Sequence, residues 1–363
     1  MFPLDLEVIA RECRDRATRN KKKLNAVGPA EMVHSWFAPA MLHGKRGHEL
    51  VVILLTRGCR HYYSNELGCT MCGYNNDSAG EPVPPEAVLA QIESVLVKHD
   101  AELQMTSDVV VKIFNSGSFF DELEIPAVIQ EKILKRVALM PQVKEIAVES
   151  RPEFVDEASA RRFKSCLRAD QAGEVGMGLE TWNDDVRAKF INKGFTREQF
   201  LSAHGTLQAA GIGTKVYLLL KPPFLGERAA FDDVVSSIEH LMVLGVSTIS
   251  INPVAVHAHT VVERLWERGV YRPPWLRTVR LVLQRAFTSR VRDERVLLIC
   301  DPVAGGKPRG AHDCNDPTCN QRSSETIRAA IEAQDTVPGL DPLQIDGSDT
   351  CGCTMQWLDE MRL

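Results

Sequence analysis

Three cysteines that directly follow an apolar stretch place the strongest limit on the folds open to this sequence. The apolar residues 50–55 are rich in β-branched side chains and end just before Arg57-Gly58, so they predict a buried strand. The loop after them has the spacing C-x9-C-x2-C, formed by Cys59, Cys69 and Cys72. A structural zinc ion takes four N or S ligands, whereas three thiolates on a [4Fe–4S] cubane leave one iron open to a substrate or cofactor. The count favours the cluster; a zinc knuckle completed by another ligand, such as His61, is the alternative.

Four further cysteines near the end of the sequence form a second group. The sequence has ten cysteines, and in a reducing compartment clustered thiols are more often metal ligands than disulfides. The spacings C-x4-C and C-x-C belong to Cys314, Cys319, Cys351 and Cys353. They predict a closed tetrahedral zinc site, with His312 as a spare ligand. A second iron–sulfur cluster and unligated thiols are the alternatives.

Charge and hydropathy limit the partners and the location. The net charge is −5, so any surface that binds nucleic acid has to be a local basic patch. Two predicted basic helices, at residues 4–25 and 277–292, are candidates for such a patch, although a solvated helix face has the same composition. No apolar run reaches the roughly 20 residues that span a bilayer, and the first residues lack a basic-then-apolar signal pattern. We therefore expect a cytoplasmic protein with no membrane partner.

From about residue 49 onward, strand patterns alternate with helix patterns. The predicted strands are residues 50–55, 109–114, 143–148, 174–178, 214–220 and 247–251. Helix patterns lie at residues 85–98, 124–139, 156–168, 184–190, 196–210, 231–244 and, later, 324–334. Such alternation predicts an α/β fold with parallel strands and right-handed crossovers. Six units are too few for a complete eight-unit barrel, and spacing alone does not separate a partial barrel from a doubly wound sheet. Residues 26–48 are expected to be irregular.

Polar residues follow the carboxyl ends of these strands, which is where ligands bind in such folds. The candidate contacts are Ser116, Gly117, Ser118, Glu149, Arg151, Glu180, Lys221 and Asn252. Gly117 would let backbone groups approach a ligand closely, and the charges of Glu149 and Arg151 need partners if they are buried. Simpler roles fit the same residues: a polar turn, a salt bridge, a helix cap or a solvated side chain.

The loop sequence RGCRHYYSNELGCTMCGYNND resembles the cluster loop of the radical S-adenosylmethionine (SAM) superfamily. The usual spacing in that superfamily is C-x3-C-x2-C, and the longer first gap here is nearer to the elongator-type subgroup. The segments ESRPE and GMGLET resemble further motifs of that subgroup. Together with NSGSFFD and the late cysteines, the loop is most similar to the archaeosine-forming radical SAM lyases of archaeal tRNA modification.

This resemblance implies a fold and a set of cofactors. The fold is α/β, a partial (β/α)6 barrel of the TIM type over residues 49–300. An N-terminal helical extension of residues 1–48 precedes it, and a small Cys-rich, metal-binding region of residues 301–363 follows it. The implied cofactors are SAM and a [4Fe–4S] cluster on Cys59, Cys69 and Cys72. The strand-end residues above, together with Tyr74, are the implied SAM contacts, with the glycine-rich segment at the methionine amino group.

The resemblance also implies the reaction and its partners. Reductive cleavage of SAM yields a 5′-deoxyadenosyl radical, which abstracts hydrogen from a lysine attached to 7-cyano-7-deazaguanine in the tRNA D-loop. Cleavage of the C–N bond of that lysine side group then leaves the amidine of archaeosine. The implied partners are tRNA, an alpha subunit related to transglycosylases, and an electron donor. The alternatives are another radical SAM tRNA-modifying enzyme, elongator-like or methylthiotransferase-like, and a non-catalytic zinc protein that binds nucleic acid.

Overall fold

The described strands form one eight-stranded sheet, in which they lie in the order of the sequence. The computed structural model describes residues 4–21, 33–42, 45–64, 67–289, 296–343 and 351–362. The strands are β1 (His34–Leu42), β2 (Lys45–Leu54), β3 (Val109–Asn115), β4 (Val143–Glu149), β5 (Ala172–Glu180), β6 (Gly213–Leu220), β7 (Thr248–Pro253) and β8 (Leu297–Ile299). The helices are α1 (Leu4–Lys21), α2 (Arg60–Tyr63), α3 (Pro85–Lys98), α4 (Asp100–Gln104), α5 (Ala127–Ala138), α6 (Glu157–Cys166), α7 (Asp184–Val186), α8 (Arg197–Ala209), α9 (Glu227–Leu244), α10 (Val261–Glu267), α11 (Leu276–Ser289), α12 (Pro317–Ala333) and α13 (Cys353–Arg362).

The strand pairing is the one that strand–helix alternation predicts. β1 runs antiparallel to β2, whereas β2 with β3, β3 with β4, β4 with β5, and β7 with β8 are parallel. Leu50 lies opposite Val111, and Ile113 lies opposite Val148. All four side chains are buried, as expected for central parallel strands that are covered by other elements. The expected α/β fold is therefore confirmed.

The protein divides into two compact units. The first unit comprises residues 10–178 and 194–215, and it contains the cysteine loop after β2. The second unit comprises residues 1–9, 179–193 and 216–363, and it contains the four late cysteines. The predicted domain limits after residues 48 and 300 stay a prediction.

Local sequence signals fix the helices of the first unit. At the start of α6, Asp156 accepts the Ser159 backbone N–H at 2.8 Å, and the Ser159 hydroxyl accepts the Asp156 N–H at 2.9 Å. This reciprocal capping box satisfies two N–H groups that the helix leaves without partners. Thr196 and Gln199 cap α8 in the same way. The helix α5 buries Ile133 and packs against α3 and α6.

In the second unit, α11 packs against α9 and α12, and α13 contacts α9. The prediction that the arginines of α11 face tRNA is wrong for Arg277 and Arg280, which are only 2% and 7% exposed. The guanidinium of Arg280 donates to the Gly339 carbonyl and to the Ser323 hydroxyl. Arg285 is exposed. Arg290 and Arg292 lie outside the described residues.

All six predicted strands occur, with ends that differ by a few residues. The prediction that residues 26–48 are irregular is wrong for residues 34–42 and 45–48, which form β1 and the start of β2. Pro39 lies in β1, which is an edge strand of the sheet. An edge strand tolerates proline because one side of it needs no ladder hydrogen bonds. Residues 22–32 and 43–44 are outside the described part of the protein.

Several predicted helices differ in extent; α9, for example, begins at Glu227 and not at residue 231. Residues 184–190 form the short helix α7 followed by a π-helical turn, Arg187–Ile191, which ends at Asn192 with φ 57°. The helix expected at residues 324–334 begins earlier, at Pro317, because Asp316 caps it by accepting the Thr318 N–H at 2.9 Å. Among the described helices, none is long and apolar enough to cross a membrane.

Candidate functional site

The loop that carries Cys59, Cys69 and Cys72 is shaped by two glycines. Gly58 has φ 98°, and a Cβ at this position would lie 2.6 Å from the Ser78 Oγ. Gly68 has φ 74°, and a Cβ there would lie 2.9 Å from the Tyr62 ring. Both positions therefore require glycine, because other residues rarely adopt this φ and would also clash. Residues 65–66 of the loop lie outside the described residues.

Asn75 connects the first and last thiols of the loop. Its Oδ1 accepts the Cys59 backbone N–H at 3.1 Å, and its Nδ2 donates to the Cys72 Sγ at 3.6 Å. The Asn75 side chain is almost fully buried. The sequence prediction did not single out Asn75, although it lies in the quoted motif three residues after Cys72.

Arg151 supplies a positive charge to these thiols. Burial raises the pKa of the Cys59 thiol, and the charge of Arg151 lowers it again. The guanidinium also interacts with Cys69, lies 5.4 Å from the ring centroid of Phe195, and pairs with Glu153 at 2.5 Å. All three loop cysteines are half-buried, and a cation beside such thiols favours the thiolate, which is the form that binds metals.

The three loop thiols are spaced more widely than the ligands of a tetrahedral zinc site. A tetrahedral zinc ion with Zn–S distances of about 2.3 Å brings its sulfur ligands to within about 3.8 Å of one another. Cys59, Cys69 and Cys72 do not form one of the groups of described residues whose ligand atoms all lie within 4.8 Å. A cubane puts each thiolate on a different iron and accepts a wider spacing.

The end of β3 is built around Glu124, which sequence reasoning missed. Its carboxylate accepts the Ser118 backbone N–H at 2.8 Å, the Asn115 Nδ2 at 2.7 Å and the Thr56 hydroxyl. A Cβ on Gly117 would lie 1.9 Å from the Glu124 Oε2, so glycine there makes room for the carboxylate. Burial raises the pKa of Glu124. The Ser118 hydroxyl accepts the Arg151 backbone N–H at 3.1 Å and so connects the ends of β3 and β4.

Glu149 belongs to a group of charged side chains on the strands of the first unit. Burial lowers the pKa of Lys215, as does the charge of Lys112, whereas Glu174 and Glu149 act in the opposite direction. Lys112 pairs with Glu49 at 2.5 Å. The residues were visible in the sequence as single charges within apolar strands, but nothing there showed that they meet.

In the second unit, two predicted site residues share an unusual backbone conformation. Glu180 at the end of β5 has φ 69°, and Lys221 directly after β6 has φ 63°. Both side chains are buried in ion pairs, Glu180 with Lys193 at 2.5 Å and Lys221 with Glu227 at 2.7 Å. A non-glycine residue in this region costs about 1–3 kcal/mol, and such strain is concentrated at functional sites.

The other two predicted contacts differ in exposure. The Asn252 amide is half-buried and donates to the carbonyls of Ser250 and Leu218 at 2.9 and 3.3 Å. Tyr74 is exposed, at 65%. The roles of all these residues toward SAM stay predictions, and Glu180, Lys221 and Asn252 lie in a different unit from the cysteine loop.

The four late cysteines come together as predicted. The sulfur atoms of Cys314, Cys319, Cys351 and Cys353 all lie within 4.8 Å of one another, with 3.7 Å between those of Cys314 and Cys351. The start of α12 supplies one of them and the start of α13 another. His312, the expected spare, is not in the group, since its Nδ1 instead donates to the Gly310 carbonyl at 2.8 Å.

The four-cysteine group lies beside buried tryptophans and the guanidinium of Arg277. Trp275 and Trp357 pack with Cys319 and Cys353 in one buried cluster. The Arg277 Nη2 donates to the Cys353 Sγ at 3.6 Å. Burial raises the pKa of the Cys353 thiol to about 12, whereas a hydrogen bond from the Cys353 backbone N–H lowers that of Cys351.

Most of the sequence is similar to that of proteins with known family membership. The pattern of the radical SAM superfamily matches residues 53–228. The archaeosine synthase subunit beta of Methanosarcina acetivorans is 36% identical over 339 residues, which make up 93% of this sequence and 92% of that protein. The protein of the same name from Thermococcus kodakarensis is 37% identical over 282 residues, or 77% and 83% of the two proteins. Among solved structures, Methanocaldococcus infernus Elp3 with an N-terminal deletion has a TM-score of 0.47 at 12% identity, with 67% of this protein and 58% of that one matched.

The α/β fold, the three-thiol loop after β2 and the matched pattern define a radical SAM enzyme. Within that superfamily, the chain belongs to the archaeosine synthase subunit beta family. The family resemblance predicted from the loop sequence is thereby confirmed.

Proposed function

We propose that this protein is the subunit of an archaeosine synthase that converts the lysine adduct of 7-cyano-7-deazaguanine in the tRNA D-loop to archaeosine. The reaction is a radical cleavage of the C–N bond of the attached lysine, and it leaves an amidine. The observation that carries the proposal is the 36% identity to an archaeosine synthase subunit beta along 93% of the sequence. The three-thiol loop and its polar surroundings support the same chemistry.

A [4Fe–4S] cluster and SAM are the cofactors that the radical SAM family implies. Cys59, Cys69 and Cys72 would each hold one iron of the cluster. When bound, the cluster and SAM supply a 5′-deoxyadenosyl radical by one-electron cleavage. The loop fits a thiolate-bound cofactor, because Asn75 donates to the Cys72 Sγ and the charge of Arg151 stabilises the Cys59 thiolate.

The end of β3 fits the amino group of SAM. Asn115 Oδ1 is buried and accepts no hydrogen bond from the described residues. The Glu124 carboxylate lies beside it, bound to the Asn115 Nδ2. A buried acceptor without a donor is costly, and an ammonium group would supply the missing donor together with a charge that pairs with Glu124. The further proposed contacts of SAM or substrate are Tyr74, Ser116, Gly117, Ser118, Glu149, Arg151, Glu180, Lys221 and Asn252.

The proposed partners are tRNA, an alpha subunit that attaches the lysine, and an electron donor. For the tRNA, α1 offers a local patch of exposed cations at Arg11, Arg16 and Arg19. Such residues bind phosphates and release counterions, so replacing all three with Gln should weaken the salt dependence of tRNA binding. Lys22 and Lys23, part of the same predicted basic helix, lie outside the described residues. The proposed location is the cytoplasm.

We also propose that Cys314, Cys319, Cys351 and Cys353 hold one zinc ion. Sulfur atoms within 4.8 Å of one another suit the roughly 3.8 Å spacing of a tetrahedral site better than the wider spacing of a cubane. Four thiolates saturate zinc, so this would be a closed, structural site. It would tie the start of α13 to the start of α12.

Metal analysis tests the zinc proposal. The Cys59→Ala/Cys69→Ala/Cys72→Ala protein should keep about one zinc per molecule. Adding Cys351→Ser and Cys353→Ser should remove that zinc, whereas the matched changes Cys13→Ser and Cys166→Ser should not. A triple variant that is folded and free of metal would rule out the zinc site.

The experiment that tests the function uses anaerobically reconstituted, reduced protein with SAM. We expect 5′-deoxyadenosine to form, and its rate to rise when tRNA that carries the lysine adduct is added. Unmodified tRNA of the same sequence is the control. A protein that holds its cluster but cleaves no SAM with the modified tRNA would contradict the proposal.

A further inference from the structure

Lys221 is held in place far more tightly than an ordinary strand-end lysine. Its backbone has φ 63°, its carbonyl accepts the hydroxyl of the buried Tyr271 at 2.8 Å, and its side chain is buried. The ammonium group lies 2.7 Å from the Glu227 Oε2. An ammonium has three N–H donors, and this ion pair is the one polar contact of the Nζ among the described residues. Donors therefore remain for a ligand.

Glu227 is fixed from its other side. It is the first residue of α9, and its Oε1 accepts the Trp275 backbone N–H at 2.9 Å and the Thr278 hydroxyl at 2.5 Å. The side chain is buried. Two donors on one oxygen give the carboxylate a defined position, and its charge holds the Lys221 ammonium beside the other oxygen in an ion pair.

The same threonine leads to the four-cysteine group. Its Oγ1 accepts the Nε1–H of Trp357 at 2.9 Å. Trp357 is fully buried in α13, the helix that begins at Cys353. A series of contacts thus runs from Cys353 along α13 to Trp357, and then through Thr278 and Glu227 to Lys221. All of these residues lie in the second unit.

We infer that Glu227 is a positioning residue that holds Lys221 for a carboxylate ligand, and that the four-cysteine centre secures this pair through Trp357. The inference rests on the proposed function, which supplies two ligands of this kind. The methionine part of SAM and the lysine part of the modified tRNA both carry an α-carboxylate. An ammonium with donors to spare binds such a group through charge-assisted hydrogen bonds.

Binding measurements on the cluster-loaded protein without reductant test Glu227, because SAM is then bound but not cleaved. Two probes are used, SAM and tRNA carrying the lysine adduct. The probe whose affinity changes is the one whose carboxylate Lys221 binds. Lys221→Met should weaken binding of one probe about tenfold or more. Glu227→Gln should lower the affinity for the same probe. The double variant Lys221→Met/Glu227→Gln should bind that probe no more weakly than Lys221→Met alone. Glu267→Gln, which removes the exposed ion pair with Arg264, is the control.

Two variants test the link to the four-cysteine centre. Trp357→Phe keeps an aromatic ring but removes the N–H donor, and it should weaken binding of the same probe about twofold to tenfold. Cys351→Ser/Cys353→Ser should also lower the affinity for this probe. Zinc content and the visible absorbance of the cluster are measured on each sample. The cysteine double variant should lose zinc and keep the absorbance of the cluster.

Four results would overturn the inference, each at a different step. If Lys221→Met changes the affinity for neither probe, Lys221 does not bind the carboxylate of either ligand. A folded Glu227→Gln protein with wild-type affinities removes Glu227 from the positioning role. If Trp357→Phe and the cysteine double variant both keep wild-type affinities, the four-cysteine centre does not secure Glu227 and Lys221. A wild-type protein that binds neither probe contradicts the proposed function, and the inference with it.

Discussion

The Nδ2 of Asn75 lies 3.6 Å from the Sγ of Cys72 and donates a hydrogen bond to it. The Oδ1 of the same side chain accepts the Cys59 backbone N–H at 3.1 Å. One buried amide therefore sets the first and last thiols of the loop relative to each other. Groups that bind and orient metal ligands in this way commonly contribute tenfold to hundredfold to metal affinity.

Asn75→Ala should lower the iron content of reconstituted protein and speed loss of the cluster to a chelator roughly tenfold, because both hydrogen bonds are lost. Asn75→Asp keeps the acceptor for Cys59 but replaces the donor with a negative charge beside a thiolate, so it should hold iron no better than Asn75→Ala. Iron analysis and visible absorbance are the measurements. Full iron retention by a folded Asn75→Ala protein would show that Asn75 does not support the cluster.

Gly117→Ala should disturb the end of β3. The added Cβ would lie 1.9 Å from the Glu124 Oε2 and force the buried carboxylate out of its hydrogen bonds. We expect the free energy of unfolding to fall by roughly 1–3 kcal/mol and SAM affinity to fall with it. Gly205→Ala is the matched control, since nothing lies within 4 Å of its Cβ position in α8; it should stabilise by about 0.5–1 kcal/mol. Equal unfolding midpoints and SAM affinities in Gly117→Ala and wild type would refute this.

Glu124 and Asn75 show where sequence reasoning reached its limit. The thiols of both groups were predicted because metal ligands lie close in sequence and their spacing is itself the signal. Glu124 reaches back across nine residues to Asn115 and across 68 to Thr56, through a turn that composition does not reveal. The sequence alone does not distinguish a glutamate whose carboxylate is buried and hydrogen-bonded from one that is exposed to water.

Arg280 gives the opposite case, a charge that was assigned to the surface. Its partners Ser323 and Gly339 lie 43 and 59 residues further along the sequence. The helical pattern of α11 was visible, but which of its faces other helices would cover depends on the second unit as a whole. For β1 the misleading signals were Gly28-Pro29 and Gly44, which indicated breaks, whereas β1 lies between them at His34–Leu42.

Asp233 in α9 should make stability depend on pH. Burial raises the pKa of this carboxyl from 3.8 to about 6. The Thr181 hydroxyl donates to its Oδ1 at 2.8 Å, and its buried Oδ2 has no hydrogen-bond partner within the described residues. Because the folded state holds this proton more tightly than the unfolded state, its contribution to stability is fully present below about pH 4 and is lost as the pH rises through about 6.

Asp233→Asn removes this titration. The free energy of unfolding of the variant, minus that of wild type, should therefore increase by roughly 1–1.5 kcal/mol between pH 5 and pH 8. Urea unfolding at the two pH values measures it, with Asp232→Asn as the same change at an exposed neighbour. A difference that is constant or that decreases with pH would contradict the raised pKa.

The central claim is tested most directly by nucleoside mass spectrometry of the tRNA after reaction. Reduced, cluster-loaded protein is incubated anaerobically with SAM and tRNA that carries the lysine adduct, beside a Cys69→Ala variant. We predict that the lysine adduct disappears and archaeosine accumulates together with 5′-deoxyadenosine in the wild-type sample, and that none of these changes occurs in the variant. Formation of 5′-deoxyadenosine with the adduct unchanged, or equal archaeosine in both samples, would contradict the claim.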